Sequence, residues 1–129
     1  MTEKHVVLTE AAPAPFQGAP YSQAIKANGF VFVSGQLSLR PGDKELSAGD
    51  IGAQTEQAIA NLRAILEAAG SSLDNLVKTT VFLQNLDDFT GMNDVYAKHV
   101  GENPPARSTV EVAALPSGAL VEIEAVALA

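Results

Sequence analysis

The stretch Tyr21–Leu37, YSQAIKANGFVFVSGQL, decides the fold. Tyr21–Ala27 and Phe30–Leu37 flank the dipeptide Asn28-Gly29, and Asn-Gly supplies the two positive φ angles of a type I′ turn. The segment therefore reads as a β-hairpin. Side chains pointing both ways from Phe30-Val31-Phe32-Val33 are apolar, so this strand needs cover on both faces.

Working outward toward the amino terminus, AAPAPFQGAP carries three prolines and one glycine and marks an irregular loop. A strand is expected before it, over His5–Thr9. Beyond the hairpin, LRPGDKELSAGD is a second loop that leads into a helix. Asp50 is a plausible N-cap, and Ile51, Ile59, Leu62, Ile65, Leu66 and Ala69 recur at helical spacing until Gly70. Val77–Leu83 is rich in β-branched and aromatic residues and reads as a strand. Asp87 or Asp88 should open a second helix with Phe89, Met92, Val95 and Tyr96 on one stripe, ended by Gly101. Gly91 inside it costs about 1 kcal/mol against alanine. Pro104-Pro105 stops further helix, and strands are expected over Arg107–Ala113 and Leu120–Leu128.

The order β-ββ-α-β-α-ββ, without linker or repeat, indicates a single α+β domain spanning 1–129, a mixed β-sheet with two helices packed on one face. Two helices cover only one side. The apolar residues on the other, also visible in Val81-Phe82-Leu83, would form an exposed patch that soluble monomers rarely tolerate. A homo-oligomer is expected.

Composition narrows the function. Apolar residues make up 47% and charged residues 18%, a globular balance. There is no cysteine, which excludes a disulfide scaffold, a thiolate nucleophile and cysteine-based metal sites, and which fits a reducing compartment. The start MTEKHVVLTE lacks an apolar core of signal-peptide length, and the tail ALVEIEAVALA is too short to span a bilayer. A cytoplasmic protein without membrane contact is expected. Net charge is −7 with eight scattered Lys and Arg, which disfavours nucleic acid as a partner. Neither His5 nor His99 lies in a ligand-spaced motif, no metal site is expected, and the glycines form no phosphate-binding loop. The absence of Trp and the few aromatics weigh against a carbohydrate-cleaving pair of carboxylates.

Three segments carry candidate chemistry: APYSQA with Tyr21, VSGQ with Ser34 and Gly35, and PARSTVEVAALPSGALVEIEAVA with Arg107 and Glu122. A planar guanidinium after a stiff Pro-Pro-Ala lead-in suits bidentate capture of a carboxylate, although an exposed strand-end arginine fits equally. Strand alternation puts Glu122 and Glu124 on one face with Leu120, Val126 and Leu128. A carboxylate there is either solvent-exposed or held with a raised pKa suited to acid–base work. A tight LPSG hairpin would oppose Glu111 and Glu122, two like charges. Either the strands pair differently or the region faces a cleft.

These segments, together with NLRAILEAAG and VKTTVFLQNLDDFTGMNDVY, resemble the RidA (YjgF) family of reactive-intermediate enamine/imine deaminases, in the expected order over nearly the whole chain. The resemblance implies a chorismate-mutase-like α+β fold, a homotrimer with clefts between subunits, and cofactor-free hydrolysis of 2-imino acids such as 2-iminopropanoate or its tautomer 2-aminoacrylate. It further implies that Arg107 binds the substrate carboxylate and that Glu122 positions the attacking water. Tyr21, Ser34, Gly35, Asn93 and Thr109 would line the pocket. Two positions depart from the family pattern. Ala19 precedes Pro20-Tyr21 where glycine is usual, and Thr109 stands where many relatives have cysteine, so a thiol has no role here. A non-catalytic carboxylate-binding or regulatory trimer, or a chaperone-like protein, is the competing reading.

Overall fold

The computed structural model describes residues 3–129, so Met1 and Thr2, where the amino-terminal reading and the single domain begin, lie outside it. The elements are β1 (Lys4–Val7), β2 (Ala24–Ala27), β3 (Phe30–Gln36), α1 (Ile51–Ala68), β4 (Leu76–Leu83), α2 (Phe89–Val100), β5 (Ala106–Glu111) and β6 (Val121–Leu128). The strands form one sheet in the order β1-β2-β3-β6-β4-β5. Among the described residues only β4 and β5 run parallel; the other neighbours are antiparallel. A parallel pair needs a crossover connection, and α2 provides it.

Local chemistry sets most boundaries. Asn28 (φ 53°) and Gly29 (φ 84°) close the β2–β3 hairpin with Ala27 opposite Phe30. The Asp50 carboxylate caps α1 by accepting from the Ala53 N–H at 2.9 Å. At the other end Gly70 (φ 84°) donates to Glu67 and Ser71 to Leu66, the paired bonds of a Schellman cap. The start of α2 differs from expectation. Asp88 makes no capping bond; Asn85 accepts from Asp87 N–H at 2.8 Å and starts a short 3₁₀ turn that runs into the helix.

The first strand begins and ends earlier than expected, because Thr9 turns away to hydrogen-bond with the Gln23 side chain. The tight hairpin between β5 and β6 does not form. β4 lies between them, with Phe82 opposite both Val110 and Glu122, so Glu111 and Glu122 are never paired.

Both helices lie on one face of the sheet. Leu62, Ile65, Leu66 and Met92 pack on Val31, Val81, Leu83, Val121 and Ile123, all essentially inaccessible. Of the α2 stripe, Met92, Val95 and Tyr96 are buried, but Phe89 remains 42% exposed. It turns toward Arg107 instead of the core. Gly91 has a packing reason: a Cβ there would stand 2.7 Å from Ile51 Cγ2, so the two helices cross where only glycine fits.

Buried polar groups tie loops to this core. The Asn61 amide donates to the carbonyls of Leu37 and Leu39, and the Gln23 amide donates to those of Thr9, Ala12 and Pro13. Among the described residues no helix covers the opposite face of the sheet. Phe32, Val110 and Leu128 sit there more than two-fifths exposed, and the β-strand register adds Phe82, Val126 and Ile25 to the same side.

Candidate active site

Strand alternation divides the candidate residues between the two faces. In β6 the residues Val121, Ile123, Ala125 and Ala127 point into the helix-covered core, which leaves Glu122 and Glu124 on the open face. In β5 Arg107 is the register partner of buried Thr79 and therefore belongs to the helix side. Arg107 and Glu122 of one chain thus lie on opposite faces and line different clefts.

The first cleft, about 680 Å³, brings together Tyr21, Ser34, Gly35, Glu122 and Glu124. An irregularity in the β3–β6 ladder shapes it. Val33 pairs with Ala125, but Gln36 pairs with Ile123, so β3 carries one extra residue at Ser34-Gly35. Such a bulge bends the strand and re-aims its side chains. The Ser34 hydroxyl donates to the Ser22 carbonyl at 2.6 Å, leaving its oxygen free to accept from a ligand. The Tyr21 hydroxyl accepts from the Phe16 N–H at 2.6 Å, leaving its proton free to donate. Gly35 leaves the room the carboxylate occupies: a Cβ there would stand 2.0 Å from Glu122 Oε2. The carboxylate lies across the bare backbone of the bulge. Partial burial pushes the Glu122 carboxyl above its ordinary pKa, and the nearby charge of Glu124 adds to the effect.

The second cleft, about 550 Å³, holds Arg107 with Asn93, Tyr96 and the Pro104-Pro105 lead-in. The guanidinium stacks 4.8 Å from the centre of the Tyr96 ring and 5.6 Å from that of Phe89. Tyr96 is itself fixed by a 2.6 Å hydrogen bond to Thr79. Burial raises the Tyr96 phenol pKa, opposed by that hydrogen bond and by the Arg107 charge, so the phenol stays protonated. Arg107 makes no ion pair among the described residues and can offer its planar fork outward. Asn93 Oδ1 is buried in the same cleft with no hydrogen-bond partner among the described residues.

Thr109 pairs with Val81 on the helix side of β5 and lines neither cleft. Ala19 lines the first cleft ahead of Tyr21. His99 does more than sit near a helix end: it lies between Arg63 and Glu56, at 3.1 and 3.0 Å, and ties α2 to α1. Sequence reasoning missed Phe16, Gln17 and Ser117 in the first cleft and Tyr96 beneath Arg107. Tyr96 was legible only as a core residue of a helix stripe. Among the described residues no three His, Cys, Asp or Glu side chains cluster as a metal site, and no helix is long and apolar enough to cross a membrane.

A family model described as "Endoribonuclease L-PSP" matches residues 9–129. A "RutC family protein" of Pyrococcus horikoshii is 52% identical, over 96% of this chain and 97% of that protein. The "Reactive Intermediate Deaminase A, chloroplastic" of Arabidopsis thaliana is 48% identical over 97% of this chain and 66% of its own length. The human "2-iminobutanoate/2-iminopropanoate deaminase" is 40% identical over 97% and 90%. The crystal structure of RidA from an Antarctic Psychrobacter superposes with a TM-score of 0.91 at 44% identity, covering 97% of this chain and 99% of that one. The chain belongs to the RidA (YjgF) family.

Proposed function

We propose that this protein hydrolyses reactive 2-enamine/2-imine acids to 2-keto acids and ammonia at a site assembled from two copies of the chain. The carrying observation is the division of the site. An arginine fork with no ion pair among the described residues lies on one face, and a partly buried carboxylate with a raised pKa lies on the other. Neither half holds both a carboxylate clamp and a base. A neighbouring copy seated on the open apolar face would bring its Arg107 half to the Glu122 half, and the uncovered Phe32, Val110 and Leu128 supply the driving force for that association. We take the assembly to be the homotrimer of the family, formed and acting in the cytoplasm.

In this reading Arg107 grips the substrate carboxylate bidentately and fixes the imine carbon over Glu122. With the substrate as its iminium, water adds to that carbon as a water proton passes to Glu122 and the C=N π pair moves onto nitrogen, giving a neutral carbinolamine. Glu122 returns the proton to nitrogen. Ammonia then departs as the C=O forms, and the hydroxyl proton goes to Glu122 or to the leaving amine. Tyr21 donates from the cleft wall, the Ser34 oxygen accepts there, and Asn93 Oδ1 accepts beside the arginine. Iminium carbons are already strong electrophiles, so these groups suffice without a cofactor.

A carboxylate sensor would need the arginine alone; the bulge that clears space for Glu122 favours catalysis over mere binding. The family description as an endoribonuclease finds little support in a chain of net charge −7. The test is a coupled assay in which a pyridoxal-phosphate threonine dehydratase turns over serine and releases 2-aminoacrylate. Pyruvate should form faster with the wild-type protein and at the uncatalysed rate with Arg107→Ala. No acceleration by folded wild type would overturn the assignment for this substrate.

A further inference from the structure

The Glu122 cleft has two walls that the imine chemistry leaves without a role. One is the turn Phe16–Gly18, the other the turn Pro116–Gly118, and they are built alike. Each follows an extended residue, each closes with an N–H to C=O bond of 3.1 Å across its corner, and each ends in an extended alanine, Ala19 or Ala119. At the corner each turn holds a non-glycine residue in the left-handed region, Gln17 at φ 56° and Ser117 at φ 54°. Both of these residues line the cleft.

Left-handed backbone is unfavourable for side chains with a Cβ, and glycine would relieve it in either corner. Each turn is also held from behind by a buried glutamine. Gln23 grips the loop that leads into the first turn through the carbonyls of Ala12 and Pro13, while Tyr21 holds Phe16 N–H. Gln54 of α1 accepts from Leu120 N–H at 2.9 Å just after the second turn, and anchors itself on the Gly49 carbonyl. The surroundings thus over-determine two strained corners whose residues, one carrying an amide and the other a hydroxyl, line the mouth of one cleft.

We propose that Gln17 and Ser117 determine substrate selectivity by reading the substituent of the imino acid, favouring one with an uncharged hydrogen-bonding group. An amide and a hydroxyl each donate and accept, so together they match a substrate amide or hydroxyl, and they lose hydrogen bonds when an alkyl group takes its place. The assignment rests on the deaminase reading of the same site.

The test compares two nearly isosteric imines, those of asparagine and leucine, generated in place by a flavin amino-acid oxidase and followed by competition with semicarbazide trapping. Gln17→Gly and Ser117→Gly remove the side chains while glycine keeps the left-handed corners. Each should lower kcat/KM for the asparagine imine by about tenfold and leave that for the leucine imine within about twofold. Gln17→Asn keeps an amide on a residue that tolerates this backbone, and should recover part of the loss. Equal changes for both imines, or none, would overturn the assignment while leaving the deaminase reading intact. Wild-type protein that accelerates neither imine would overturn both.

Discussion

At the scale of single residues the proposed chemistry turns on Glu122 and the bare backbone beneath it. Gly35→Ala would thrust a Cβ into the carboxylate. The end of a glutamate side chain moves easily, so the fold should survive while the base is displaced. A fall in kcat on the order of 10²-fold is expected, with a melting temperature close to wild type. Loss of the base itself, in Glu122→Gln, should cost about 10²–10⁴-fold. The pH profile follows from the raised Glu122 pKa. Activity needs the ionised form, so its acid limb should lie above the usual carboxylate range, and Glu124→Gln should move that limb to lower pH. Stability has the opposite sign. A folded pKa above the unfolded one stabilises the fold below the unfolded pKa, and this is lost as pH rises through the folded value. Glu122→Gln should therefore raise the melting temperature at neutral pH and leave it nearly unchanged in acid. The arginine admits an equally direct check. Arg107→Lys keeps the charge but not the planar fork, and full activity in that variant would argue against bidentate capture.

Secondary-structure elements show what a sequence can disclose. The Asn28-Gly29 hairpin, the Asp50 cap and the Gly70 stop were all legible, because each is settled by a few neighbouring residues. Asp50→Ala should cost about 1 kcal/mol by urea unfolding. What depends on distant partners was not legible. The opposed charges of Glu111 and Glu122 argue against a tight LPSG hairpin, but the insertion of β4 between β5 and β6 is set by the crossover through α2, and nothing local says which strand takes the place between them. The same holds for Gly91, which reads as a weak spot in α2 until Ile51 is seen 2.7 Å from its missing Cβ. Helix propensity alone predicts that Gly91→Ala stabilises by about 1 kcal/mol. The helix crossing predicts the reverse, a loss of about 1–3 kcal/mol from overpacking, and equilibrium unfolding will separate them. Alternation in β6 correctly grouped Glu122 with Glu124 and Val126. Whether that face met helices, solvent or another molecule was beyond its reach, since periodicity names faces without saying what covers them.

For the whole molecule, two observations point the same way. The helix-free face carries exposed Phe32, Val110 and Leu128, and the candidate site is divided between the two faces of the sheet. Phe32→Lys should dissociate the assembly in sedimentation experiments and abolish activity together with it, although Phe32 lines neither cleft. The most direct test of a site shared between copies is complementation. Arg107→Ala and Glu122→Gln chains, each inactive alone, are refolded together in equal amounts and assayed for imine hydrolysis. Random assembly places an intact arginine opposite an intact glutamate at roughly a quarter of the interfaces, and activity should return to about that fraction of wild type. A mixture as inactive as its components, with mixed oligomers shown to form, would contradict the shared site.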